Sequence, residues 1–334
     1  MLEKLNCYVA KVSIFLITAA LIAGTVGCGP DIPPPEALEI RDWYDLDTVR
    51  NNLGDSYILM NDLNATTGGY IQLSSPTANG GAGWQPIGTT DNPFTGTFDG
   101  QGYEIRDLFI NRPDESYVGL FGWVGERGVV KNLGVVNTDV TGLVGVGGLI
   151  GENAGTVSNS YSTGNVTDGG WGWVGGLIGG NAGTVSNSYS TSYVTGYAGV
   201  SGLVAFNDEG GTVSNSYSTS HVTGEEIVGG LVAGNAGIVS NSCSTGNVTG
   251  SSQVGGLVGE NHGTVSNSFW DTETSGQATS DGGTGKTTAQ MKNITTFSGA
   301  GWDIIAVANP STRNSSYIWN IVTEQTYPFL SWEP

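Results

Sequence analysis

Few residues in this chain have types and spacing suited to chemistry. Two histidines are present, His221 and His262. Neither belongs to an HExxH pattern, which sets two imidazoles one helical turn apart on a zinc ion. His221 fills a slot held in equivalent segments by Asn165, Tyr193 and Asn247, and His262 one held by Ala154, Ala182 and Ala236. Both read as surface substitutions. Gly283-Thr284-Gly285-Lys286-Thr287 has the tail of a phosphate loop. The leading glycine of that pattern falls on Ser280, and no apolar strand precedes it, so a nucleotide site is not expected. Glycosidase chemistry needs two carboxylates about 5 to 10 Å apart. Glu152 and Glu260 share a repeat column but lie four repeats apart, about 19 Å at the spacing of stacked strands. Asp208-Glu209 and Glu225-Glu226 fall at other corners, and a calcium site would need denser clustering of carboxylates than these pairs. The sequence therefore offers no catalytic, cofactor-binding or metal-binding residues.

The N-terminus carries a different chemistry. Lys4 and Lys11 flank a polar start, and Val12 to Gly24 is an apolar run of signal-peptide length. It is short of the roughly 20 apolar residues of a spanning helix. The run ends in Thr25-Val26-Gly27-Cys28, which resembles the lipobox of bacterial lipoproteins, although Thr25 stands where Leu is usual. The resemblance implies cleavage before Cys28, lipidation of its thiol and attachment to a membrane through several acyl chains. Pro30 and Pro33-Pro34-Pro35 then form a short stiff tether. With Cys7 removed and Cys28 lipidated, Cys243 is left alone; it sits in a column held elsewhere by Tyr161, Tyr189, Tyr217 and Phe269, which marks it as a packing residue.

Gly is over-represented, at 55 of 334 residues, and the net charge is −19. Loss of residues 1–27, net +1, would take it to −20. Such a chain repels phosphate backbones, which argues against a nucleic-acid partner.

The elements that must carry these residues are repeats. Val146-Gly-Gly-Leu-Ile returns at Val174, Val200, Val228 and Val254, in steps of 28, 26, 28 and 26, with a worn copy at Val118. Each copy continues into a segment like Thr156-Val-Ser-Asn-Ser-Tyr-Ser-Thr and a third containing Val166, Val194, Val222 or Val248. Apolar stretches are short and broken by Gly, Asn and Ser, without helical periodicity. The reading is all-β, a parallel β-helix (β-solenoid) with coils of about 26 residues and three short strands per coil. Identical residues should then stack at about 4.8 Å. Leu149, Leu177, Leu203, Leu231 and Leu257 form one interior ladder, and Val157, Val185, Val213, Val239 and Val265 another. Asn159, Asn187, Asn215, Asn241 and Asn267 should lie at a bend in left-handed backbone, with amides bonded along the axis. Asp168-Gly169-Gly170-Trp171 and Asp208-Glu209-Gly210-Gly211 lengthen two corners.

Gly148-Leu-Ile-Gly151, Gly176-Leu-Ile-Gly179 and Gly256-Leu-Val-Gly259, each followed by Asn-x-Gly and a Val-Ser-Asn-Ser segment, resemble the GLUG-motif repeat family of bacterial surface proteins. Ala205 and Ala233 depart from its last Gly. The resemblance implies a surface protein and carries over no activity; the metallopeptidase part of some larger members has no counterpart here. The expected organisation is a signal peptide over 1–27, a Pro-rich tether over 28–38, an N-terminal cap and lead-in coils over 39–117, the GLUG-type solenoid over 118–270 and a C-terminal cap over 271–334. Trp43 to Leu53 suits a capping helix; Trp302, Trp319, Phe329 and Trp332 suit an irregular C-terminal cap core.

The expected function is a lipid-anchored protein of the cell envelope with a structural, adhesive or ligand-binding role, its partners being the membrane through Cys28 and a surface glycan or protein. Two alternatives stand beside it. One is a polysaccharide-acting β-helix enzyme, lyase or glycosidase. The other is an ice- or crystal-binding surface built on the regular column Ser158, Ser186, Ser214, Ser240 and Ser266.

Overall fold

The structure, a computed structural model, describes residues 37–334. The expected signal peptide, Cys28 and nearly all of the expected tether lie outside the described residues. From Leu38 onward the chain winds as a parallel β-solenoid of about 6 turns. Each turn from Val146 onward contributes to four stacked sheets rather than three. The Ser face, a 9-stranded sheet, runs from Leu38–Ile40 through Thr156–Ser158 to Thr264–Ser266. The Tyr face, 12-stranded, includes Gly134–Gly142 and Tyr161–Asp168. The Val-Gly face has 5 strands such as Val146–Gly147, and the Asn face 6 strands such as Ile150–Asn153. The extra corner divides what the sequence presented as one Val-Gly-Gly-Leu-Ile strand. Its glycines are required by close approach, since a Cβ on Gly148 would stand 2.1 Å from Ser162 Oγ and one on Gly147 2.2 Å from the Ile150 carbonyl oxygen.

Stacking is in register from rung to rung. Val157 pairs with Val185, and Val185 with Val213; Val166 pairs with Val194. All five ladder leucines, Leu149, Leu177, Leu203, Leu231 and Leu257, are fully buried. The Asn159 column lies in left-handed backbone, with φ of 48°, 49°, 47°, 47° and 48° in its five members, as bend residues of this type allow. The axial amide chain, however, belongs mainly to another column. Asn153 Nδ2 donates to Asn181 Oδ1, Asn181 to Asn207 and Asn207 to Asn235, each at 2.8 Å, and Asn235 to Asn261 at 2.7 Å. These side chains point into the interior at the Asn-x-Gly corner, where no water can serve them, so each amide bonds the same residue one turn on. In the Asn159 column the recorded axial amide bond is Asn159 Nδ2 to Asn132 Oδ1, 3.0 Å. An inner serine ladder runs alongside: Ser160 Oγ donates to the Ser158 carbonyl at 2.8 Å, and Ser160 N–H donates to Ser188 Oγ at 3.2 Å.

Both ends are closed. The helix α1, Trp43–Thr48, is capped by Asp42, whose carboxylate accepts from Asp45 N–H at 2.9 Å. It buries Trp43 and Leu46, and Trp43 packs 5.7 Å from Trp84. At the other end Ser280 covers the last turn, accepting from Val258 N–H at 2.8 Å. Thr284–Lys286, the segment that looked like a phosphate loop, is a strand paired in parallel with Phe269–Asp271.

Beyond it the chain does more than cover an end. Two short helices, Thr288–Met291 and Ile294–Ser298, and a 3-stranded sheet fold back along the Tyr face. There Tyr161, Tyr189 and Tyr217 stack at 4.7 and 4.9 Å with their ring planes nearly parallel. Trp332 Nε1 donates to the Asn187 carbonyl at 3.1 Å and Trp302 Nε1 to the Asn267 carbonyl at 2.7 Å. Cys243 is buried in this seam as a packing residue, and burial pushes its thiol up to about 12.

Two outcomes follow from this packing. Asn207→Leu leaves Asn181 and Asn235 each short of a partner, and should cost about 2–5 kcal/mol in denaturant unfolding, against roughly 0.5 kcal/mol or less for exposed Asn165→Ala. Native protein should leave Cys243 unlabelled by a disulfide reagent at pH 8, with labelling appearing only as the protein unfolds.

Candidate ligand-binding face

The residues weighed for chemistry fall in separate places. His221 is exposed on the Tyr face with its ring 5.2 Å from Tyr193 and nearly parallel to it. His262 lies at an Asn-face corner, 3.3 Å from Glu260 and largely exposed. Lys286 stands 5.6 Å from the Phe269 ring. Glu225 accepts from Ser251 Oγ at 2.6 Å on an exposed corner. Among the described residues no group of three His, Cys, Asp or Glu converges. The Ser column is regular, but Ser158 and Ser266 are half-buried and Ile238 interrupts the threonines beside it.

One carboxylate behaves differently. The Asn-face register aligns Trp123, Glu152, Gly180, Phe206, Gly234 and Glu260 in one column. Glu152 is 8% exposed and carries neither an ion pair nor a side-chain hydrogen bond among the described residues. Its carboxylate lies over Gly180, where an added Cβ would meet Oε2 at 2.1 Å. Burial pushes its pKa up to about 7, and the like charge of Asp208 adds to the rise. Asp208 is itself raised by burial. The sequence put Asp208 at a different corner from Glu152, which is true along the chain. The long Glu152 side chain reaches over the space a glycine leaves in the next turn, and this brings it into the field of Asp208 two turns away.

The second feature is the lengthened corner after Asp168. The Asp168 carboxylate accepts from Gly170 N–H at 2.8 Å and Gly172 N–H at 3.0 Å, which fixes the loop. The loop carries Trp171, 73% exposed, and Trp173, 41% exposed. Trp171 lies against Tyr197 with ring centroids 3.8 Å apart, and Trp173 stacks on Phe206 at 5.2 Å. On the neighbouring turn Tyr117 meets Trp123 edge-on at 4.8 Å. An aromatic ledge therefore lies on this flank, and two of its rings, Trp123 and Phe206, stand in the column that also holds Glu152. The sequence marked the corner as an insertion and assigned it no role. The available signal was its content, two tryptophans within a solvent-exposed turn.

The architecture defines a parallel β-solenoid of stacked repeats. The GLUG motif family matches residues 142–167. A "Putative Gly-rich membrane protein" of Evansella cellulosilytica is 42% identical over 120 residues, covering 34% of this chain and 13% of that protein. Halomucin of Haloquadratum walsbyi is 36% identical over 141 residues, 42% of this chain and 2% of that protein. The chain thus spans a small fraction of these curated relatives. Among solved structures, "a putative immunoglobulin A1 protease" from Bacteroides ovatus superposes with a TM-score of 0.62 at 20% identity, covering 89% of this chain and 93% of that one. At that identity the likeness is one of fold.

The buried carboxylates set a pH dependence. Glu152 and Glu333 both have folded pKa values of about 7, above the ordinary 4.5. Burial is the main cause at Glu333 as well, and Arg313 opposes it. At these two groups the folded state therefore holds the extra protons, and their contribution to stability is full below about pH 4.5 and is lost as pH rises through 7. Thermal melting between pH 4 and 8 should show this fall. Glu152→Gln and Glu333→Gln should each flatten part of it, matching the wild type at pH 4 and melting higher at pH 8; an unchanged slope in both would refute the assignment.

Proposed function

We propose that this chain is a lipid-anchored protein of the cell envelope, whose solenoid stands off the membrane and offers its long flank as a structural and adhesive surface. The observation that carries the reading is where the repeated residues go. The Leu, Val, Asn and Ser columns are used in stacking one turn on the next, and the repeats leave no recurrent reactive set. The signal-like run, Cys28 and the proline segment agree with export and anchoring. So do the relatives, one described as a membrane protein and one as a halomucin.

A polysaccharide-acting enzyme is the second reading, favoured by the field of Asp208 at the buried Glu152. The neighbour named as an immunoglobulin A1 protease bears on this chain only through its fold, and HExxH is absent from the sequence. Ice or crystal binding by the Ser face is the third.

The anchor is tested by metabolic labelling with palmitate. Label should enter the wild type and be lost in Cys28→Ser, with the protein released to the medium; unlabelled wild type would refute the anchor. Cells displaying the protein should adhere to matrix- or glycan-coated surfaces better than cells lacking it. Hydrolysis or elimination of acidic polysaccharides by purified protein would instead favour the enzyme.

A further inference from the structure

We propose that the ledge formed by Trp171, Tyr197, Trp173 and Phe206 is a binding site for an uncharged polysaccharide, with Glu152 as a hydrogen-bonding group beside it. This deepens the adhesive reading and rests on it.

Four observations lead here. First, the rings are presented to solvent by a loop that is tied down. Asp168 holds the Gly170 and Gly172 amides, so the ordering cost of the corner is met before any ligand arrives. Sugar rings carry C–H groups on their faces and hydroxyls on their rims, and the C–H faces pack on aromatic faces. An exposed indole beside a tyrosine, next to a second indole stacked on a phenylalanine, supplies such faces.

Second, Glu152 is more than nine-tenths buried without a hydrogen bond or ion pair among the described residues. It stands in the same column as Phe206, two turns away, or about 10 Å at the strand spacing. The Glu152 carboxyl is not sealed from the surface, so rim hydroxyls of a ligand along this column can bond it.

Third, charge selects among glycans. Between Lys131 and Lys286 the chain has neither Lys nor Arg, Glu260 stands in the Glu152 column, and Asp208 acts on Glu152. A uronate or sulfated polymer would meet unpaired carboxylates with no cation to offset them, whereas an uncharged one would not.

Fourth, the ledge is narrow and its loop is largely glycine. Stable protein partners bury about 800 Å² a side around an apolar centre. Two ring pairs in a setting of Gly, Ser and Asn suit a thin chain better.

Native affinity electrophoresis and intrinsic fluorescence of the full chain would test the site. The gels would contain hydroxyethylcellulose or galactomannan, with polygalacturonate as the charged control. The wild type should be retarded by at least one uncharged polymer, with a shift in tryptophan emission, and should run unretarded in polygalacturonate. Trp171→Ala should weaken retardation about tenfold, as expected for loss of a central aromatic anchor, and Trp171→Ala/Trp173→Ala should abolish it. Circular dichroism and melting temperature should stay unchanged, because Trp171 is exposed. Retardation that survives the double variant, or stronger retardation in polygalacturonate, would overturn the site. No retardation in either uncharged polymer would also overturn it, and if cells bearing the protein still adhered, the adhesive reading would survive alone. Binding by the ledge in a protein that leaves adhesion unaltered would sink the adhesive reading and keep the site.

Discussion

Hydrogen bonding along the long axis, each turn to the next in register, is the constraint on which every other feature of this molecule leans. A parallel ladder pairs residue with like residue, so any side chain that faces inward must tolerate a copy of itself about 4.8 Å above and below. Leu and Val meet the condition by packing. Asn meets it by passing an amide hydrogen bond from Asn153 to Asn261. Ser meets it by donating to its own turn and accepting from the turn before. Charged residues do not meet it, since like charges would stack, and this accounts for the absence of Lys and Arg between Lys131 and Lys286.

The same constraint determines where individuality is possible. Strand positions are locked by their neighbours, so variation collects at corners and in the outward column of the Asn face, where Trp123, Glu152, Gly180, Phe206, Gly234 and Glu260 alternate between large side chains and glycine. The glycines give bulky neighbours room to bend along the axis: Glu152 lies over Gly180, and a Cβ on Gly234 would stand 2.7 Å from the Phe206 ring. A repeat protein of this kind builds a distinctive surface by alternating occupancy within a column, without disturbing the ladder beneath.

The Tyr face shows what happens when an outward column is apolar instead. Stacked Tyr161, Tyr189 and Tyr217, followed by Cys243 and Phe269, would expose a long aromatic stripe. The chain after Thr287 covers it, using indole N–H groups to bond carbonyls at the left-handed Asn187 and Asn267 bends. The terminal aromatics read from sequence as cap core are indeed packed, with Trp319 fully buried, and they reach along the flank as well as over the end.

The period, the parallel stacking, the Leu and Val ladders, the left-handed Asn159 column and the placing of both insertions at corners were legible in the sequence, because in-register stacking writes itself as repetition. Three things were not. The division of Val-Gly-Gly-Leu-Ile between two faces depends on backbone approach that no residue type announces uniquely. The choice of Asn153 over Asn159 for the axial amide chain depends on which side chain points inward at its corner. The field of Asp208 at Glu152, and the contact of Trp171 with Tyr197, join residues on different turns. Repetition reports what each turn shares with the next, and contacts made by the residues in which turns differ are decided only when the turns are stacked.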